Sequence, residues 1–434
     1  MNLTNDSTTL IKFIINHNKN RFQETNYLNK TNNNNNETKD FIKFIYRSFS
    51  VLYNKLNHYN FIENRSVSDK YVIERQGSYF PGSIRKYINK TNKTCVSYVL
   101  DLDNRRNILN FYVFDTKTPD IDLSLEKLDA YAKNVAMILL LLQKYSVNKW
   151  NNEGININIF MTGFKRSLDK CRKTRKTRKT RKTRKTRKTR KNNGRIGTIH
   201  LNGGFARHCQ KNGSITVYRK EEWFKVFIHE CFHSYGLDFC MSDLRSFNKK
   251  IHQLFPINSK FNIYETYCEL WAEILNACFC AFVLLTNENT TNTSTSNMDR
   301  YSLYENNCIL FLGIERTFSK IQSKKVLNNL SLNYGDILKP GNNYGEDTNV
   351  FAYIICKYIL MFDLNKFIKW TMTHNTNYFD FDKNSNCINE FYNLIRENYN
   401  DTELIASLNR PINNKNKNNK FIKTTLRMAV LEIH

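Results

Sequence analysis

The sequence predicts an α+β fold with a mainly helical carboxyl half. Three observations carry this. Strand-like alternating runs lie mostly before residue 220, helical periodicity dominates after it, and low-complexity segments fall between the patterned stretches rather than within them.

Taken in order, Val96 to Leu102 and Ile108 to Phe114 alternate around Asp103-Asn104-Arg105-Arg106, the pattern of a β-hairpin. Leu123 to Tyr145 places Leu125, Leu128, Ala132, Val135, Leu139 and Leu142 on one side of a helix. Ile155 to Phe164 reads as a strand. Gly197 to Leu201 and Ser214 to Tyr218 read as two more, joined through Gly203-Gly204. Glu221 to Tyr235 reads as a helix stopped by Gly236. Ile263 to Leu285 is a second long helix, and Tyr304 to Asn333, Asn349 to Met361 and parts of Phe379 to Leu408 look helical as well.

At 434 residues the chain can bury a sizeable core, and 41% hydrophobic with 13% aromatic residues excludes wholesale disorder. Only 14 Gly and 5 Pro exclude collagen-like and proline-rich architectures. Four segments lack the apolar content to fold and are expected as solvated loops or tails: Asn29 to Lys39, the Arg-Lys-Thr repeats of Arg172 to Lys191, Thr286 to Asn297, and Asn413 to Lys420. The formal charge is +27, and the repeat tract alone supplies 14 of it. The basic character is therefore a weak pointer to nucleic acid. The tract has the charge to hold an anionic partner non-specifically or to act as a nuclear-import address, but the plainer account is a slippage insertion in a surface loop.

Eleven cysteines without a CxxC pair do not make a disulfide framework; a reduced setting with buried thiols is expected. No stretch resembles a secretory signal. The two most apolar runs, Val135 to Leu142 and Ile274 to Leu285, are too short to span a bilayer, so a soluble protein without a transmembrane segment is expected.

The chemistry is concentrated in His229-Glu230-Cys231-Phe232-His233. Two histidines four apart on a helix project from one face and can reach one cation. Glu230 between them stands where it can hold and deprotonate a metal-bound water. Val226, Phe227, Ile228 and Phe232 make the surrounding helix apolar, and ionisable groups buried there are costly unless paired or bound.

A zinc site needs a third protein ligand and an open fourth position. A third histidine in the pattern His-Glu-x-x-His-x-x-Gly-x-x-His would fall at Phe239, so that branch is disfavoured despite Gly236. Asp238, one residue off that spacing, reads as a turn residue. Downstream, Glu265, Glu269 and Glu273 recur every four residues on one helix face, a row of like charges that a cation would relieve. Asn262 and Glu265 fit a capping box, which would tie Glu265 to the backbone at the helix start. Glu269, one turn deeper beside Leu270, Trp271 and Ala272, is then the favoured ligand. Glu265 is the alternative, and Glu273 the acceptor for the outer ring N–H of a ligand histidine.

The motif His229-Glu230-Cys231-Phe232-His233, followed 36 residues after its last histidine by Glu269-Leu270-Trp271-Ala272-Glu273, resembles the gluzincin branch of the zincin metallopeptidases over roughly residues 150–285. It is also similar to uncharacterised metallopeptidase-like proteins of giant DNA viruses. The resemblance implies a zincin-like fold: a small mixed sheet with an edge strand along a cleft, an active-site helix, then a ligand helix. It implies one Zn2+ per chain on His229, His233 and Glu269, with Glu230 as general base in the hydrolysis of a peptide or protein substrate. An extended peptide would add to the edge strand. An oxyanion stabiliser is expected, with Tyr264, Tyr267 and Tyr344 available for the role. The implied location is intracellular, whether cytoplasmic, nuclear or virion-associated, and not secreted.

The expected organisation is a poorly ordered Asn-rich segment over 1–40, a single zincin-like domain over 41–410 with a basic insertion over 171–193, and an Asn/Lys-rich tail over 411–434. Two other classes compete with a metallopeptidase. One is a catalytically silent zincin-fold binding protein, which would have no need to keep Glu230. The other is a basic nucleic-acid-associated structural protein in which the motif is coincidence.

Overall fold

The computed structural model describes residues 1–17, 36–57, 59, 62–67, 73, 77, 79–114, 124–146, 154–168, 194–207, 213–288, 297–410 and 419–433. The Arg-Lys-Thr tract lies outside these residues, so the expectations attached to it are not addressed by the fold. The α+β class holds: among the described residues, six strands form one mixed sheet and helices make up most of the remainder.

Two helices open the described chain, α1 (Asn5–His17) and α2 (Asn36–Leu56). Over residues 1–17 the first corrects the expectation of a poorly ordered segment at 1–40, of which residues 18–35 lie outside the described residues. Leu10, Phe13 and Ile14 form a helical stripe buried in the main core, and Leu3 bridges to Ile433 from the far end of the chain. Polar composition hid this, because a few apolar residues at helical spacing suffice to dock a short helix.

The sheet comprises β1 (Ile62–Val67), β2 (Lys93–Leu102), β3 (Arg105–Phe114), β4 (Asn156–Phe160), β5 (Gly204–Ala206) and β6 (Ser214–Val217), in the order β1-β2-β3-β4-β6-β5. The first three strands are antiparallel, β3, β4 and β6 are parallel, and β5 returns antiparallel along the outer edge of β6. Asp103 and Asn104 close the expected hairpin with φ of 47° and 64°, the left-handed pair that a two-residue turn of matching twist requires. Side chains alternate across the pleat. Leu109 and Phe111 enter the main core, while Tyr112 and Phe114 join a smaller cluster on the opposite face. Helix α3 (Gly82–Lys90) covers that smaller cluster through Ile84 and Ile88. Helix α4 (Leu125–Gln143) lies in the main core.

Gly197 to Leu201, expected as a strand, is instead a short helix, α5 (Thr198–Leu201). His200 Nδ1 accepts the Gly197 N–H at 2.9 Å and closes a turn there, so the edge strand begins only at Gly204. Beside it runs α6 (Trp223–Ser234), which carries the two histidines. Gly236, at φ 63°, ends α6: the Leu237 N–H returns to Phe232 O at 2.9 Å and the Gly236 N–H to His233 O at 3.1 Å.

After α7 (Arg245–Leu254) comes α8 (Tyr264–Glu288), packed along α6 and bearing the three glutamates. Part of α8, Tyr264–Asn287, is long and apolar enough to cross a membrane, but 94% of its most apolar window is buried inside the protein. Helix α9 (Asn297–Asn329) and the helices Leu364–His374, Ser385–Asn398 and Thr402–Asn409 complete the carboxyl half. Between them, Asn349 to Met361 opens as a π-helix, Phe351–Cys356, before continuing as an α-helix.

The expected tail at 411–434 is also corrected. Of it, residues 419–433 are described, and Leu426, Arg427, Ala429 and Val430 are fully buried. This segment is clamped by carboxylates: Glu222 Oε1 accepts the N–H groups of Met428 and Ala429 at 2.9 and 2.6 Å, and Glu315 those of Val430 and Leu431 at 2.8 Å each. The packed body therefore extends beyond 41–410 at both ends. Glu222 caps the start of α6 at φ 57°, so the C-terminal segment also fixes where the histidine helix begins.

Candidate metal centre

α6 and α8 bring three side chains to one point. His229 Nε2 and His233 Nε2 lie 3.1 Å apart, and Glu265 Oε2 lies 3.1 Å from the first and 3.2 Å from the second. Four-residue spacing on α6 sets the histidines one above the other, and the first turn of α8 delivers the carboxylate. All three are buried, and together they could hold a metal ion.

This revises the order of the glutamates by one turn. Glu269, the favoured ligand of the sequence reading, does not reach the cleft side of the histidines. Its Oε2 lies 3.1 Å from His229 Nδ1, on the back of the ring, while Oε1 is bonded to Lys225 and lies 3.7 Å from Lys357. Glu273 is a layer deeper, paired with Lys357 and accepting from Ser319 at 3.1 Å. The two lysines explain the shift: they draw Glu269 and Glu273 inward and leave Glu265 for the histidines. The capping box does not form as expected. Asn262 donates its side chain to Asn349 Oδ1 at 3.0 Å, and Glu265 accepts from Asn349 at 3.3 Å instead of bonding the backbone.

Asp238, taken from sequence as a turn residue, faces the second histidine. Its Oδ2 bonds His233 Nδ1, and its Oδ1 accepts the Cys240 N–H at 2.8 Å. The turn after Gly236 folds this side chain back onto the helix it follows. Each histidine thus has a carboxylate behind it and Glu265 in front.

The electrostatics follow from that crowding. Burial lowers the pKa of His229, but the carboxylates of Glu265 and Glu269 on either side of its ring outweigh it and raise the pKa to about 9. For Glu265, burial would raise the pKa, yet His233 and His229 hold it well below the usual carboxylate range. Asp238 is held down to about 2 by His233 in spite of its burial. Carboxylates around both rings thus favour positive charge at the point where the ligand atoms meet. Glu230, on the adjacent face, is pushed up to about 7 by burial, partly offset by the two histidines.

The centre forms the floor of a cleft of about 780 Å³. Gly204, Phe205 and Ala206 of the edge strand line one wall, and Asn262, Tyr264, Asn349 and Tyr353 line another. Of the three tyrosines named from sequence, Tyr264 reaches the cleft, with its ring centre 6.1 Å from that of His233. Tyr267 is buried and donates to Phe379 O at 2.8 Å, and Tyr344 donates to Glu346 at 2.7 Å. Tyr353 escaped the sequence reading. It sits on the π-helical turn, its ring centre 6.0 Å from that of His229. Such turns recur at functional sites, but their extra residue is invisible to a 3.6-residue period.

The nine cysteines among the described residues are all free thiols. Comparison with protein families, with curated proteins and with solved structures finds no match to this chain.

Proposed function

We propose that this chain is a zinc-dependent peptide hydrolase, with His229, His233 and Glu265 as the zinc ligands and Glu230 as the general base. The observation that carries the reading is the triangle of two Nε2 atoms and one carboxylate oxygen, with sides of 3.1, 3.1 and 3.2 Å. Tetrahedral zinc with ligands at about 2.0–2.1 Å has ligand-to-ligand edges of about 3.3 Å, so the three atoms need scarcely move to share one ion. Carboxylates behind both rings favour the tautomer that leaves Nε2 free to ligate. Two nitrogens and one oxygen facing a cleft are a donor set of catalytic rather than closed structural zinc sites.

Bound there, zinc would acidify water and polarise a substrate carbonyl. The chain's own residues account for the rest. Glu230 takes the proton of the attacking water on its carboxylate and returns it to the leaving amine, a task suited to a group poised near neutral pH. Tyr353, on the facing wall, has a phenol to donate to the oxygen that gains charge under attack. β5, at the outer end of the sheet, offers backbone groups to an extended peptide.

Metal analysis and a peptidase assay test the reading together. Purified protein should hold about one zinc per chain, lost in His229→Ala. It should cut an unfolded protein substrate, and Glu230→Gln should stop the cutting while keeping the zinc. A metal content that His229→Ala does not change would overturn the reading. Zinc held firmly with no cleavage of any peptide would leave a silent binding protein in its place.

A further inference from the structure

Beside Glu230, adjoining the main cleft, is a second pocket of about 30 Å³ that shares Gly204, His229, Glu230 and Tyr353 with it. Arg166, Gly203, Gly204, Val226 and Met428 line its other side. That space is large enough for one water molecule, and its walls carry the polar partners a water needs.

Arg166 is 1% exposed. Its Nε donates to Leu201 O at 2.6 Å and its Nη1 to Glu222 Oε2 at 2.6 Å. Its Nη2, also buried, has no hydrogen-bond partner among the described residues. A buried guanidinium N–H is costly to leave unpaired, so a ligand for it is expected. The adjacent glycines show where Nη2 points. A Cβ on Gly203 would collide with it, and a Cβ on Gly204 would lie 3.0 Å from Glu230 Oε1. The guanidinium and the carboxylate therefore flank two consecutive residues that place no side chain between them.

We propose that this pocket is a water site, in which one water accepts from Arg166 Nη2 and donates to the Glu230 carboxylate, and that Arg166 thereby acts as a positioning residue for the base. The inference rests on the reading of Glu230 as that base. A glutamate side chain on a helix turns freely about its last torsion. Held through one oxygen by this water, it keeps its other oxygen in one orientation toward the metal centre. Arg166 can impose that orientation because Glu222, at the start of the same helix, fixes the guanidinium to the frame that carries Glu230.

A high-resolution crystal structure of the full chain tests the site directly. An ordered water within hydrogen-bond reach of both Arg166 Nη2 and the Glu230 carboxylate is expected. A dry pocket, or Nη2 bonded straight to protein, overturns the proposal. Two variants test the role. Val226→Ile adds a methylene to the pocket wall without touching a charge, and Arg166→Lys keeps the cation but loses the fork that serves Glu222 and the water together. Each should keep its zinc and its KM while kcat falls about 10–100-fold, the range typical of groups that orient a site from behind. An unchanged kcat in Val226→Ile, with the water shown to be displaced, also overturns it. If the unmodified protein neither holds zinc nor cuts peptides, the functional reading fails, and the crystallographic water still decides the site.

Discussion

His229 Nδ1 and Glu269 Oε2 lie 3.1 Å apart on the side of the imidazole turned away from the cleft. This contact gives each glutamate of α8 a different task. Glu265 meets the two Nε2 atoms, Glu269 braces the back of one ring, and Glu273 serves the buried Lys357. A row that repeats every four residues is thus spread over three depths of the protein.

The first prediction separates the two outer glutamates. Glu265→Gln removes a ligand and should weaken zinc binding well beyond the effect of Glu269→Gln, for which about 10–100-fold is expected. Glu269 also neutralises Lys225 and Lys357, so its loss leaves buried cations uncompensated. Glu265 in the same way faces two buried histidines in the zinc-free protein. Each variant should therefore lose about 3–5 kcal/mol in urea unfolding without zinc. Chelator competition separates them, and a larger loss of zinc affinity in Glu269→Gln than in Glu265→Gln would return Glu269 to the ligand set.

Zinc removal should lower thermal stability. An ion that binds only the folded state contributes about 4 kcal/mol when free zinc exceeds its Kd a thousandfold. Stripping it leaves the histidines to take up protons in its place between Glu265, Asp238 and Glu269. A chelator should therefore shift the unfolding midpoint down by several degrees, and re-addition of zinc should restore it. The shift should vanish in His233→Ala.

Much of the fold was legible because it rests on local pattern. The hairpin around Asp103-Asn104 and the helix ended by Gly236 follow from residue types that suit left-handed backbone. The pair His229 and His233 was legible for the same reason, since a spacing of four on one helix fixes a shared face. What stayed hidden depends on distant partners. Glu269 and Glu265 are equivalent by periodicity, and only Lys225 from α6 and Lys357 from beyond residue 350 tell them apart. Asp238 is set by a chain reversal, and Tyr353 by a π-turn that shifts the helical phase. The burial of residues 419–433 depends on Glu222 and Glu315, whose role no window around either residue reveals.

That C-terminal clamp makes a stability prediction. Arg427 is fully buried, 3.0 Å from Glu432, among Glu221 and Glu222. Arg427→Met would leave these carboxylates short of a cation beside the start of α6. A loss of about 3–5 kcal/mol in urea unfolding is expected, since removing one partner strands the other charges. Lys165→Met, at an exposed pair with Asp6, should change stability by less than about 1 kcal/mol. Similar losses in the two variants would show that the buried cluster carries no special weight.

The last prediction concerns Tyr353 and Tyr264, which face the same centre from one side of the cleft. Tyr353 packs edge-on to His229 and is acted on by the charges of Glu265 and Glu230, whereas Tyr264 packs beside His233 and is acted on by those of Glu265 and Asp238. The proposed base lies next to His229, so charge developing on a substrate oxygen under attack arises on the side of Tyr353. Tyr353→Phe keeps the ring and removes only the phenol. It should lower kcat about 10²–10³-fold, as loss of an oxyanion donor does, with zinc content and KM close to the parent. Tyr264→Phe should change kcat less than tenfold by comparison, roughly the scale of a lost peripheral contact. Steady-state kinetics on one peptide substrate, with metal content measured on the same samples, ranks the two. A larger kcat loss in Tyr264→Phe would assign the donor to the first turn of α8 and leave the π-turn a packing role.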